Sequence, residues 1–303
     1  MCMKRKITRV QPQGYCGGVL QAIALAKKCR ADNPDTPITI LGNLVHNSYV
    51  KKALALYDLK TIEDPNRSRL QLLDDLQEGI VIFTAHGVSP QVYKKAKQKG
   101  LQIVDATCPF VSQTQKIVRD HLKQNAWVFY VGKKGHPEAE AIYSSSDHVI
   151  LIESEQDIPS HIEGEIFVTN QTTMSILELE SIFQAIKDRY PHAVIHDEIC
   201  NATRVRQQAI LDLKNQNVDG LIVVGDPTSN NTQKLAAIGK KANIPYVACV
   251  ADVTEIDQEK IRSCQHLAIT SGASTPTYLT DQICRFVSSN SAEVEPIDIK
   301  HIL

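Results

Sequence analysis

The sequence predicts an α/β fold of three small, similar units with parallel sheets, arranged about a pseudo-threefold axis. Cys16, Cys108 and Cys200 fall at a constant interval of 92 residues, each closing a short β-like run and opening a helical stretch. Between them strands and helices alternate in one recurring order, the signature of repeated βαβ units. The strands are apolar at consecutive positions, as sheets covered on both faces require.

Each cysteine is followed by a helix: GVLQAIALAKKC, VSQTQKIVRDHLK and ATRVRQQAILDLK. An apolar strand then runs into a polar loop, in ITILGNLVHNS, WVFYVGKKGHPEAE and LIVVGDPTSNNTQ. A second helix leads to LKTIED, HVILIES and PYVACVAD. A third strand with its own loop follows in IVIFTAHGVSP, EIFVTNQTTMS and HLAITSGASTPT. A last helix reaches the strand that carries the next cysteine. The repeats are expected over residues 17–107, 108–199 and 200–290, in one compact body. No cysteine strand follows the third block, whose closing run is AEVEPIDI. Segments 1–16 and 291–303 are therefore expected to join it, bringing the chain ends together.

Composition narrows the function classes. A formal net charge of −1 over 303 residues supplies no basic field for nucleic acid or an anionic membrane. No apolar run approaches the roughly 20 residues that span a bilayer. The start, MCMKRKITRVQPQGYC, has basic residues without an apolar stretch behind them, so neither a secretory signal nor a transit peptide is expected. Eight cysteines without a CxxC pair do not form a disulfide framework, and a reducing cytoplasm is expected. Cys2, Cys29, Cys249, Cys264 and Cys284 read as packing residues.

In open parallel α/β sheets, ligands bind beyond the carboxyl ends of the strands. Those ends carry Cys16, His46 and His86; then Cys108, His136 and Thr172; then Cys200, Ser229 with Asn231, and Ser274. Three equivalent cysteines would converge on a common axis as a thiolate triad. By spacing alone this reads as an iron–sulfur cluster with one iron left open, as a zinc site, or as structural core. The imidazoles, hydroxyls and amide, each before a helix-like stretch, form a nest of donors without an arginine clamp or P-loop. Such a set suits a phosphate or diphosphate held by neutral donors. Glu138 stands two residues after His136. Enclosed there it would act as a proton donor, since desolvation raises a carboxyl pKa; otherwise it is a first-turn helix acid.

Taken in order, GYCGGV, LVHNSYV, TAHGVSP, DATCP, GHPEAE, QTTMS, ICNATRVRQ and SGASTP resemble the LytB/IspH family of 4-hydroxy-3-methylbut-2-enyl diphosphate reductases. The resemblance runs from Gly14 to about Pro276. It implies a trefoil of three α/β domains around a [4Fe–4S] cluster with Cys16, Cys108 and Cys200 as ligands and the fourth iron open to the substrate hydroxyl. It implies that His46, His86, His136, Ser229, Asn231 and Ser274 surround the diphosphate. Thr172 would orient the substrate alcohol and Glu138 would supply the proton. The implied reaction is a reductive dehydroxylation giving isopentenyl and dimethylallyl diphosphates, the last step of the methylerythritol phosphate route. The chain has no flavin or nicotinamide fingerprint, so a flavodoxin or ferredoxin is the implied electron donor.

Some positions depart from the family pattern. Gly17 stands where relatives often carry Ala or Phe, which loosens the turn without removing the ligand. Asn230 replaces a common serine and is left out of the binding set. Asn170 replaces a commoner threonine. A C-terminal tail that closes over the site in some relatives is expected to be reduced here. Rival readings are a quinolinate synthase-like dehydratase and a cluster-bearing sensor; GHPE, QTTMS and the HNSYV/HGVSP pair favour the reductase over the first, and Glu138 over the second.

Overall fold

The computed structural model describes residues 5–289 and 295–303, so Cys2 and the start of the closing run lie outside the described residues. The first block comprises β1 (Lys6–Arg9), α1 (Gly17–Asp32), β2 (Ile38–Leu41), α2 (Ser48–Ala55), β3 (Lys60–Ile62), α3 (Arg69–Leu72), β4 (Ile80–Phe83), α4 (Pro90–Gln98) and β5 (Gln102–Asp105). The second comprises α5 (Pro109–Leu122), β6 (Trp127–Val131), α6 (Pro137–Tyr143), β7 (Val149–Ile152), β8 (Ile166–Asn170), α7 (Ile176–Arg189) and β9 (Val194–Ile195). The third comprises α8 (Asn201–Leu211), β10 (Gly220–Val224), α9 (Asn230–Lys241), β11 (Tyr246–Val250), α10 (Gln258–Ser263), β12 (His266–Ser271) and α11 (Thr277–Ser289).

These strands make three four-stranded sheets, ordered β3-β2-β4-β5, β7-β6-β8-β9 and β1-β12-β10-β11. Every pairing is parallel. Read from the other edge, the third order is β11-β10-β12-β1, so β1 takes the place that β5 and β9 hold elsewhere. Lys6 pairs with His266 and Arg9 with Ile269 to put it there. The chain divides into two compact units: Met1–Gly17, His46–Ala53 and Asn201–Leu303 form one, Gly18–Val45 and Leu54–Cys200 the other.

The second sheet shows why these runs become buried strands. Along β6, Phe129 and Val131 join Leu179, Ile182 and Ile186 of α7 in one apolar cluster. Val128 and Tyr130 point the other way, into a cluster with Val118 of α5 and Ala139 and Ile142 of α6. The period of two in the strand thus feeds two helical layers. Each fully buried side chain of this size contributes about 1.5–3 kcal/mol relative to exposure. In the first sheet Leu41, Val81 and Phe83 pack with Leu72, Val92 and Ala96 in the same manner.

In all three sheets the chain reverses its direction of sheet growth between the same two strands: β2 and β4, β6 and β8, β10 and β12. A crevice opens beyond the carboxyl ends of such strands because their connections leave to opposite sides. The six loops that follow those strands, with the first turns of α6 and α9, carry every non-cysteine candidate residue.

Candidate active site

His46, His136 and Ser229 each lie five residues past the end of the first of these strands, after Leu41, Val131 and Val224. Past the other strand, Ala85, Thr172 and Ala273 stand two residues beyond Phe83, Asn170 and Ser271. Thr172 therefore occupies the register of Ala85 and Ala273, one residue ahead of the His86 and Ser274 positions. That register has a function of its own. The backbone N–H of Cys108 donates to the Ala85 carbonyl at 3.0 Å, that of Cys200 to Thr172 at 3.1 Å, and that of Cys16 to Ala273 at 2.9 Å. One backbone bond, repeated three times, ties each cysteine to the neighbouring loop.

Each of these cysteines is a partly exposed thiol at a helix start, where the macrodipole favours negative charge. Cys108 is the N-cap of α5, and its side chain makes no cap hydrogen bond. A Cβ at Gly18 would lie 2.5 Å from the Cys108 sulfur, so only glycine leaves that thiol its space. Gly17 meets nothing within 4 Å, so its replacement of a larger residue is sterically neutral. A free, partly exposed thiol at a helix start is the kind of donor that an iron–sulfur cluster takes. Among the described residues no three His, Cys, Asp or Glu side chains are spaced to hold a single metal ion. Cys29, Cys264 and Cys284, by contrast, are buried, with burial pushing their thiols up; Cys249 is half-buried and pushed up to about 11 by the same cause.

Glu138 sits in the first turn of α6 and is 2% exposed. Its carboxylate accepts from the Thr172 backbone N–H at 2.7 Å and from the Thr172 hydroxyl at 3.1 Å. Those bonds, with the buried Tyr130 phenol, favour the ionised form, but desolvation outweighs them and raises the pKa to about 7. The carboxyl is thus poised to carry a proton at neutral pH. His136 is the N-cap of the same helix, and its Nδ1 accepts from the Glu138 backbone N–H at 3.2 Å. The proton of a neutral imidazole then rests on Nε2. The His136 ring meets that of His86 edge to face, with centroids 5.6 Å apart.

In the other unit, Ser229 caps α9 by accepting from the Thr232 N–H at 3.3 Å. Asn231 is 4% exposed, and neither amide atom has a hydrogen-bond partner among the described residues. A buried amide left without partners is costly. The Ser274 hydroxyl donates to the His46 carbonyl at 2.9 Å, so it holds the His46 loop. Asp226 accepts from the Ser48 N–H at 2.8 Å, and the Tyr49 hydroxyl donates to Asp252 at 2.5 Å. Burial opposes ionised Asp226, yet the bonds from Thr228 and Ser48 prevail and hold its carboxyl below the usual range.

Several contributors escaped the sequence reading. Gln171 is fully buried and accepts from the Lys133 N–H at 3.1 Å, linking the two loops of the second sheet. Asn170 accepts from the Glu198 N–H at 2.9 Å and donates to the Gln171 carbonyl at 3.0 Å, bracing the approach to Cys200. Tyr130 and Asp226 read as strand and turn residues, and no pattern distinguishes them from others of their kind. Tyr15, beside Cys16, donates to the Ile302 carbonyl at 2.8 Å, so the last residues pack against that turn. His196 is exposed and stands edge to face with Phe167, away from these loops.

Comparison with known proteins gives the family and the fold. Residues 7–288 match the family model described as LytB protein. A protein of Exiguobacterium sp. named 4-hydroxy-3-methylbut-2-enyl diphosphate reductase is 44% identical over 290 residues, covering 93% of this chain and 90% of the relative. One of the same name from Listeria monocytogenes is 42% identical over 291 residues, covering 95% and 87%. The solved E-1-hydroxy-2-methyl-but-2-enyl-4-diphosphate reductase of Plasmodium falciparum superposes with a TM-score of 0.86 at 30% identity, over 93% of this chain and 88% of that one. A second solved structure, described as the terminal enzyme of the non-mevalonate pathway, gives 0.63 at 26% identity, over 92% and 98%. The chain belongs to the LytB family.

Proposed function

We propose that this LytB-family chain reduces (E)-4-hydroxy-3-methylbut-2-enyl diphosphate to isopentenyl and dimethylallyl diphosphates, the closing step of the non-mevalonate route. The substrate takes up two electrons and two protons and loses its hydroxyl as water. The observation that carries this reading is Glu138, a buried carboxyl protonated near neutrality and paired with Thr172.

Family membership implies an iron–sulfur cluster, and we read it as a [4Fe–4S] cluster on Cys16, Cys108 and Cys200. When bound, such a cluster supplies electrons and an iron open to the substrate oxygen. The chain's own residues do the rest. Thr172 orients the alcohol with its hydroxyl, and Glu138 delivers the proton that turns a poor leaving group into water. His46, His86 and His136, with Ser229, Asn231 and Ser274, receive the diphosphate as neutral donors. Neutral donors lose less hydration than a cationic clamp would and leave the anion's charge to the helix starts. Electrons come from a flavodoxin or ferredoxin. Among the described residues no helix is long and apolar enough to cross a membrane, and the described cysteines are free thiols, in keeping with a reducing cytoplasm.

The test is anaerobic. The chain is reconstituted with iron and sulfide, mixed with reduced viologen, and given the hydroxylated diphosphate. Substrate-dependent viologen oxidation with both isoprenyl diphosphates as products is the expected result. Cluster-bearing protein that oxidises no viologen would reject the reductase reading.

A further inference from the structure

Arg69 is a buried cation that the mechanism above leaves unused. It opens α3, a single turn held by a capping box between Ser68 and Gln71. Its guanidinium donates three bonds to neutral acceptors: Nε to the Leu41 carbonyl at 3.2 Å, one terminal nitrogen to the Gly87 carbonyl at 3.3 Å, and the other to the Thr84 hydroxyl at 3.1 Å. Burial lowers its pKa to about 10, so it stays charged at neutral pH; Glu140 and Glu63 act on it only through space. Gly42, at φ +88°, makes the room, since a Cβ there would sit 2.9 Å from the guanidinium.

Bracing two strand-end loops would be a sufficient structural role, but the third bond does more. Thr84 is fully buried, and its oxygen also lies 3.2 Å from Nδ1 of His86. Arginine can only donate, so the Thr84 oxygen accepts from Arg69 and its own proton must go elsewhere. Among the described residues, Nδ1 of His86 is the acceptor within reach of that hydroxyl. The direction Arg69 to Thr84 to His86 is the one that also gives the buried Thr84 proton an acceptor. Nδ1 is an acceptor and the ring proton sits on Nε2, the tautomer that the Glu138 N–H imposes on His136.

We propose that Arg69 and Thr84 are positioning residues that lock His86 as its Nε2–H tautomer, so that it meets the substrate diphosphate as a donor. The inference rests on the reading of His86 as a diphosphate ligand. It supplies what a neutral imidazole lacks by itself, since an unlocked ring divides its proton between two nitrogens and pays a free-energy cost to choose one.

The test is a double-mutant cycle on the reconstituted holoenzyme, read as KM for the substrate, Ki for inorganic diphosphate, kcat and iron content. Thr84→Val is nearly isosteric and replaces the hydroxyl with a methyl, which ends the bonds to both Arg69 and His86. It is expected to raise KM and Ki together by about tenfold, the scale of one hydrogen bond, with kcat and iron content held. Thr84→Ser should restore both constants. Arg69→Met should act in the same direction; should it fold poorly, Thr84→Val carries the test. In a His86→Ala background Thr84→Val should add nothing further. If it still raises KM and Ki there, Thr84 acts by another route and the lock is refuted while His86 remains a ligand. If His86→Ala itself leaves both constants unchanged, the binding role of His86 falls and the lock falls with it.

Discussion

The strand ends of the second and third sheets occupy the same place in their repeats and are left in opposite states. In the second, the polar atoms close on one another: Glu138 on Thr172, His136 on the Glu138 N–H, Gln171 on Lys133. In the third, Asn231 is buried with both amide atoms unpaired, although Ser229 and Ser274 beside it are satisfied. A proton donor must be held at a set position and a set pKa before substrate arrives, so its bonds are made in advance. An anion site gains most from donors whose bonds are completed by the ligand, because nothing need be broken first. One topology thus carries a pre-bonded carboxyl in one sheet and an unsatisfied amide in another.

The largest effect is expected at the cysteines. Cys108→Ser is expected to abolish the cluster and all turnover, read as iron and sulfide content after reconstitution; an intact cluster would remove Cys108 from the ligand set. Glu138→Gln separates the regions most sharply. It should lower kcat by about 100-fold or more while KM stays near its original value, since one general acid contributes about 10²–10⁴. A change confined to KM would place Glu138 with the anion receptor and break the comparison.

Asn231→Ala tests the other side. Loss of a bond to a charged oxygen should raise KM by roughly 10- to 100-fold with kcat nearly unchanged, measured in the same viologen assay. The pH dependence sharpens the contrast. With a pKa of about 7, Glu138 is protonated below that value and loses its proton above it. The kcat of the parent should therefore decline above about pH 7, approaching tenfold per unit, and the Glu138→Gln variant should lack that limb. The smallest effect is a control in the helical layer on the other face of the second sheet from α6. Ile186→Val, at a fully buried position of α7, should cost about 0.5–1.5 kcal/mol in denaturant unfolding and leave KM and kcat alone.

Much of this was legible in residue order. Constant spacing of three cysteines fixes three equivalent turns, and consecutive apolar positions such as WVFYV leave parallel strands covered on both faces as their consistent reading. His136 and Glu138 share a stretch, GHPEAE, whose Pro at the first helical position announces a helix start. Thr172 was found as a strand-end hydroxyl, but its register was not, because a one-residue difference leaves no trace in a loop without periodicity. Asn170 looked like a departure from pattern, and the fold shows it bracing Glu198.

What the sequence determined by itself is whatever depends on local order: element types, the loops beyond the strand ends, and the identities of the thiol, acidic and hydroxyl side chains there. What only the tertiary structure decided is the state of those groups. Whether Glu138 keeps its proton depends on the balance between burial and two bonds from a residue 34 positions away. Whether Asn231 is satisfied, and which nitrogen of His86 bears the proton, depend on Arg69, Thr84 and other partners whose types recur throughout the chain. Hydrogen-bond satisfaction and desolvation are properties of neighbourhoods, and neighbourhoods exist only once the chain has folded.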